Sequence, residues 1–152
     1  MRSLAAEALV YKLLEEKWNI TDGVLHTSPE GQPYLSGCDL FVSISHCDAV
    51  VACAVSREPV GIDVERICPM DMHICRHVCV AEETAYVLAD ALEAQLHPCT
   101  DPQVLERFFE VWTAKEAWFK KCGTGITDLK SVNILPMKRQ LHRMGEYIIQ
   151  IM

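Results

Sequence analysis

Apolar residues recur at helical spacing near the start of the chain. Leu4, Ala8, Tyr11 and Leu14 form one stripe, with Glu7, Lys12, Glu15 and Glu16 mostly on the other side, which predicts a helix over Arg2 to Lys17. The pattern then breaks. Residues 19–37 are punctuated by Asp22-Gly23, Pro29 and Gly31-Gln32-Pro33 and read as mostly loop. Three β-rich runs follow: Leu40 to Ser45, Val50 to Val55, and Val60 to Glu65. The link His46-Cys47-Asp48-Ala49 predicts a hairpin between the first two, and Arg57-Glu58-Pro59 turns the chain into the third. Helical patterning returns over Ala81 to Leu96, where Glu82 and Glu83 lie in the dipole-favoured first turn. A second such helix starts at the cap and proline pair Asp101-Pro102 and stops at Gly123. The tail, Val132 to Leu135 and Tyr147 to Ile151, predicts a last hairpin. Helix, strands, helices and strands in that order give an α+β class.

Composition narrows this frame. The 152 residues suit one compact unit, 50% are apolar and 23% are charged, as in a water-soluble globular protein. No apolar run reaches the ~20 residues of a membrane span, and the N-terminus lacks the apolar stretch of a secretory signal, so the expected compartment is the cytoplasm with no membrane partner. The eight cysteines lie mostly in apolar segments, as Cys53 does, and are expected as free thiols. A formal charge of −7 argues against nucleic-acid binding. It also means that an acidic protein partner needs a local basic patch. Trp112, Trp118 and Phe119 are therefore expected in the core rather than under stacked bases.

Candidate chemistry sits in two segments. In the strand Gly61-Ile62-Asp63-Val64-Glu65, alternation sends Ile62 and Val64 to the core and projects Asp63 and Glu65 together from the other face. Two carboxylates at that spacing repel unless a cation lies between them, and hard oxygen donors suit Mg²⁺, with Mn²⁺ accepting the same set. The plain alternative is a solvated strand face. In the helix, Trp112, Glu116 and Lys120 share one face, which taken alone reads as a surface ion pair beside a packing tryptophan. A third cluster, His73, Cys75, His77 and Cys79, holds four soft-metal ligands, but the two pairs point different ways around a helix, and one zinc could not collect them without unwinding it. No P-loop is present.

Together and in order, Gly-Ile-Asp-Val-Glu and, about fifty residues later, Trp-x-x-Lys-Glu-Ala-x-x-Lys resemble the paired signature of 4′-phosphopantetheinyl transferases of the surfactin-synthetase-activating type. Arg2-Ser3-Leu4 resembles the start of that family's first long helix, Gly31-Gln32-Pro33-Tyr34 its Gly-Lys-Pro turn, Ser43-Ile44-Ser45-His46 its Ser-x-Ser-His strand end, and Gly123-Thr124-Gly125 the glycines after its Lys-Glu helix. The resemblance spans Arg2 to Val132. It implies a fold of two pseudo-related lobes, here 1–58 as a shortened first lobe and 59–152 as the lobe carrying the metal and catalytic motifs. The chain starts where the family's first long helix starts, so the strands before that helix are expected to be missing. The exposed sheet edges would then be covered by a helix or by a second copy of the chain as a homo-oligomer.

The resemblance also implies the activity: Mg²⁺-dependent transfer of 4′-phosphopantetheine from coenzyme A, the co-substrate, to a serine of an acyl or peptidyl carrier protein. The implied metal ligands are Asp63, Glu65 and Glu116. Glu116 and Lys120 are the implied catalytic pair, with Glu116 as general base. Arg2, Ser3, Gly31, Pro33, Ser45, His46, Lys115 and Lys120 are the implied coenzyme A contacts. Glu83 matches an acidic residue the family often carries early in the helix after the Asp motif, and a helix-dipole role explains it equally well. The alternative is an inactive family member that binds carrier proteins.

Overall fold

The computed structural model describes residues 4–89, 91 and 96–152. Arg2 and Ser3 lie outside these residues, as does part of the predicted Ala81 to Leu96 helix.

The first helix, α1, is Leu4–Trp18. It buries a different stripe from the expected one: Ala6, Val10 and Leu14 face inward, while Leu4 is 85% exposed and Ala8 and Tyr11 also face solvent. Two apolar stripes overlap on this helix, and the strands behind it decide between them. Val10 and Leu14 pack with Leu25 and Val42, flanked by Ile44, Cys53 and Val55. The segment expected as loop holds a short hairpin, β1 (Val24–Thr27) with β2 (Pro33–Ser36), in register Leu25 to Leu35. Its four-residue strands are too short to show a period beside so many turn residues.

The two runs expected as a hairpin form β3 (Phe41–Cys47) and β4 (Val50–Ser56), paired antiparallel in the register Ser45 to Ala52. Strand β5 (Ile62–Arg66) belongs to a third antiparallel sheet, in the order β5-β7-β6, with β6 at Gln140–Met144 and β7 at Tyr147–Ile151. The closing hairpin is thus β6–β7. Residues 132–135 do not form its first strand, because the backbone N–H of Ile134 bonds to the buried Glu83 carboxylate at 2.9 Å instead of to a strand.

A 3₁₀ turn at Met72–Ile74 leads into α2 (Cys75–Val78) and then α3 (Ala81–Leu88). The long helix α4 is Pro102–Cys122 and starts and stops as its sequence predicts. The Asp101 carboxylate accepts from the N–H groups of Gln103 and Val104, and Gly123 closes the helix at φ 70°. The largest core surrounds α4: Phe108, Val111, Ala114 and Ala117 pack with Val78, Val87, Ile134 and Ile148. Every strand pairing among the described residues is antiparallel and α4 lies over β5 and β7, a mixed α and β architecture. All eight cysteines are unpaired, with Cys75, Cys79 and Cys99 buried. No described helix is long and apolar enough to cross a membrane.

Candidate active site

Strand β5 supplies the first two carboxylates. Ile62 and Val64 enter a small core with Ala52, and the alternation puts Asp63 and Glu65 on the opposite face. That face is covered. Asp63 is 3% exposed, so the solvated-strand reading fails for it. Its partners in the ladder are Gln150, beside Asp63, and Ile148, beside Glu65, on the sheet face over which α4 packs.

The approach of α4 to β5 depends on Gly61. A Cβ built there would lie 1.8 Å from the Ala117 carbonyl oxygen, so no other residue fits without moving the helix. From α4, Trp112, Glu116 and Lys120 are half-buried, while their helix neighbours Val111, Thr113, Ala114, Lys115, Ala117 and Phe119 are buried. The predicted shared face is therefore the wall of a cleft.

The link between β3 and β5 is made by side chains. Ser43 Oγ accepts the Ile62 N–H at 3.0 Å and Ser45 Oγ accepts the Val64 N–H at 3.3 Å. Ser45 also donates to Asp63 Oδ1 at 2.8 Å and receives Lys120 Nζ at 2.9 Å. Its one donor and two acceptor sites are thereby used. Ser45, expected from sequence as a coenzyme A contact, here positions Asp63 and Lys120. The Ser-x-Ser period on a strand was the visible sign of this link.

Lys120 Nζ lies 2.7 Å from Asp63 Oδ1. Burial nevertheless pushes the Asp63 carboxyl above its usual range, outweighing the ammonium. Its second oxygen, Oδ2, is buried with no hydrogen-bond partner. Burial and the Asp63 charge also raise Glu65, which accepts a 3.6 Å contact from the Cys47 thiol. Glu116 is pushed up to about 7 by burial first and then by the Asp63 charge, with Lys120 opposing. The charges of Asp63 and Glu65 on β5 thus reach Glu116 on α4. Among the described residues, the set of three ligand groups that closes within 4.8 Å is Asp71, His73 and His97; the Asp63, Glu65 and Glu116 set is wider. Its chemistry still fits a hard cation: three oxygen donors, with Asp63 raising the proton affinity of both glutamates and carrying an unsatisfied buried oxygen.

Two cavities open beside the cleft. One, of about 250 Å³, runs from Glu65 and Trp112 past Cys47, Met70 and Ile74. The other, of about 290 Å³, brings Gly31 and Pro33 together with Lys120, Ser43 and Gly125. Gln32 fixes that turn by donating to the Gly123 carbonyl at 2.6 Å.

The model described as the 4′-phosphopantetheinyl transferase superfamily matches residues 59–147, which include both the Asp63–Glu65 strand and the Glu116 helix. The chain belongs to that family. It is 35% identical over 127 residues to the 4′-phosphopantetheinyl transferase gsp of Aneurinibacillus migulanus, covering 82% of this chain and 49% of that protein. It is 30% identical to psf-1 of Bacillus pumilus over 83% of this chain and 52% of that protein. With Sfp of Bacillus subtilis strain 168 the identity is 25% over 99% of this chain and 62% of that protein. The chain spans about half the length of the first two of these transferases.

Lys115 and His46 are two further residues expected from sequence as coenzyme A contacts. Lys115 is fully buried, and its Nζ bonds to Glu83 Oε2 at 2.7 Å and to the carbonyls of Leu129 and Val132 at 2.6 Å each. Those three acceptors use all three ammonium hydrogens. Glu83, assigned from sequence to a helix dipole or a family match, receives Lys115 and the N–H groups of Val80 and Ile134. It joins α3, α4 and the 129–134 segment. His46 is exposed and alternates to the β3 face opposite Ser45, outside the cavity that Lys120 lines.

The raised Glu116 carboxyl sets a pH dependence. In the unfolded chain it ionises near 4.5 and in the metal-free fold near 7, so the fold binds the extra proton between those values. Stability of the metal-free protein therefore falls as pH rises from about 4.5 to about 7, with the full cost present above that. Glu116→Gln, which imitates the protonated form, will flatten this slope and raise the melting temperature at pH 8. Thermal melts in EDTA at pH 6 and pH 8 check it, and an unchanged slope in the variant would show that Glu116 is not the group responsible.

Proposed function

We propose that this chain transfers the 4′-phosphopantetheine group from coenzyme A to a serine of an acyl or peptidyl carrier protein. The observation that carries the reading is the convergence of Asp63, Glu65, Glu116 and Lys120 where β5 meets α4, with Asp63 Oδ2 buried and unpartnered. Asp63, Glu65 and Glu116 would hold Mg²⁺, or Mn²⁺ in its place. The bound ion supplies charge neutralisation on the pyrophosphate, on which phosphoryl transfer mainly depends.

The side chains take the other roles. Ser45 and Asp63 orient the Lys120 ammonium, which can turn from Asp63 toward the phosphates because its side chain is 31% exposed. Gly31 and Pro33 shape the turn on the opposite wall, where coenzyme A would lie. The carrier-protein serine oxygen attacks the β-phosphorus, the bond from that phosphorus to the bridging oxygen breaks, and 3′,5′-ADP leaves. The serine proton passes to Glu116, directly or through one water, because its carboxylate stands beside the reacting groups. On this reading residues 1–58 belong to the first lobe, 59–152 form the second, and coenzyme A binds in the cleft between them. The setting is a cytoplasmic one.

The test is the intact mass of an apo acyl carrier protein after incubation with this chain, coenzyme A and Mg²⁺. The expected result is a gain of one phosphopantetheine, lost with EDTA and reduced by roughly 10²-fold or more in rate by Glu116→Gln. No gain across several carrier proteins, with the chain folded, overturns the transferase reading and leaves the inactive carrier-protein binder.

A further inference from the structure

The His73, Cys75, His77 and Cys79 run does not act as one ligand set. Cys75 and Cys79 are buried while His73 and His77 are exposed. His73 instead meets His97, from a segment more than twenty residues later. The two imidazoles stack with centroids 3.6 Å apart, and both Nδ1 atoms point at Asp71 Oδ1, at 3.2 Å from His73 and 2.5 Å from His97.

We propose that Asp71, His73 and His97 form a binding site for a transition-metal ion of the Zn²⁺ type, separate from the carboxylate set on β5 and α4. The donor set is two imidazole nitrogens and one carboxylate oxygen, which suits borderline metals rather than Mg²⁺. All three ligand atoms fall within 4.8 Å of one another. Around a tetrahedral ion with bonds of about 2.0–2.2 Å, ligand atoms stand roughly 3.3–3.5 Å apart. The 3.2 Å contact already matches, and the 2.5 Å one widens by less than ~1 Å. The rings tilt out of their stack to aim both lone pairs at the ion, and exposure of all three side chains leaves the fourth position to water.

The backbone holds this arrangement before any ion arrives. Met72 N–H bonds to the Leu96 carbonyl at 3.0 Å, and Met70 and Cys99 exchange bonds of 3.2 and 2.9 Å, so the segments bearing Asp71, His73 and His97 are tied on both sides. Asp71 is fixed further by accepting the His73 N–H at 2.8 Å. Such pre-organisation lowers the ordering cost of binding. The site also has a consequence for the cleft. Met70 and Ile74, which flank it, line the cavity that Glu65 and Trp112 open into, so a bound ion would brace one wall of that cavity.

The test titrates this chain with Co²⁺ and, separately, Zn²⁺ in excess Mg²⁺, which the oxygen-only set would hold. Expected are one equivalent bound, Co²⁺ ligand-field bands without thiolate charge transfer, and a rise in melting temperature with Zn²⁺. His73→Ala and His97→Ala should each weaken binding by about tenfold or more while the metal-free proteins melt as the parent does, and Glu116→Gln should bind as the parent. Absence of binding, a thiolate band, or affinity kept within tenfold in either histidine variant overturns the proposal.

Discussion

Lys115→Met will destabilise the protein by about 3–5 kcal/mol, although Lys115 belongs to the most recognisable motif in the chain. The reason is the partner it leaves. Glu83 is fully buried and faces the Lys115 ammonium at 2.7 Å. Without that charge, a carboxylate remains in the core with only the Val80 and Ile134 N–H groups. For a chain of this size the loss corresponds to a fall of roughly 10–15 °C in melting temperature. The double variant Glu83→Gln with Lys115→Met separates the pair from the position. It should recover part of the loss, because an uncharged amide costs less to bury than an unpaired carboxylate. Urea melts of the two single variants and the double complete the cycle, and strictly additive losses would show that the two charges do not act together. A phosphate-contacting lysine would behave differently: its replacement would raise the KM for coenzyme A and leave the melt unchanged.

Gly61→Ala is the second large effect. The added methyl would sit 1.8 Å from the Ala117 oxygen and 2.7 Å from the Lys121 nitrogen, both main-chain atoms of α4 that no rotamer change can move aside. The cost should reach or exceed the upper end of overpacking losses, about 3 kcal/mol. Relief requires β5 and α4 to separate, and that separates Asp63 from Lys120, now 2.7 Å apart. The expected outcome is a protein that melts early and, at temperatures where it remains folded, has lost the proposed transfer activity. A variant with parental stability and parental activity would show that the helix shifts freely against the strand.

The repeating patterns in the sequence determined local structure wherever one element decides its own form. The capped α4, the β3–β4 hairpin and the alternation that sets Asp63 and Glu65 opposite Ile62 and Val64 all follow from neighbours in the chain. So does the stripe of Trp112, Glu116 and Lys120, because a helix fixes its own faces. Tertiary structure decided everything that depends on a distant partner. Which stripe α1 buries was set by β3 and β4, and residues 132–135 stayed out of the sheet because Glu83 takes the Ile134 N–H. Lys115 and Lys120 occupy the same motif and carry the same charge. One is fully buried against Glu83 and the other reaches Asp63 in the cleft, since five residues along a helix turn a side chain to a different face and only packing says which face meets solvent. The meeting of His73 with Asp71 and His97 had no periodic signal at all, because it rests on a backbone bridge between segments far apart in the chain.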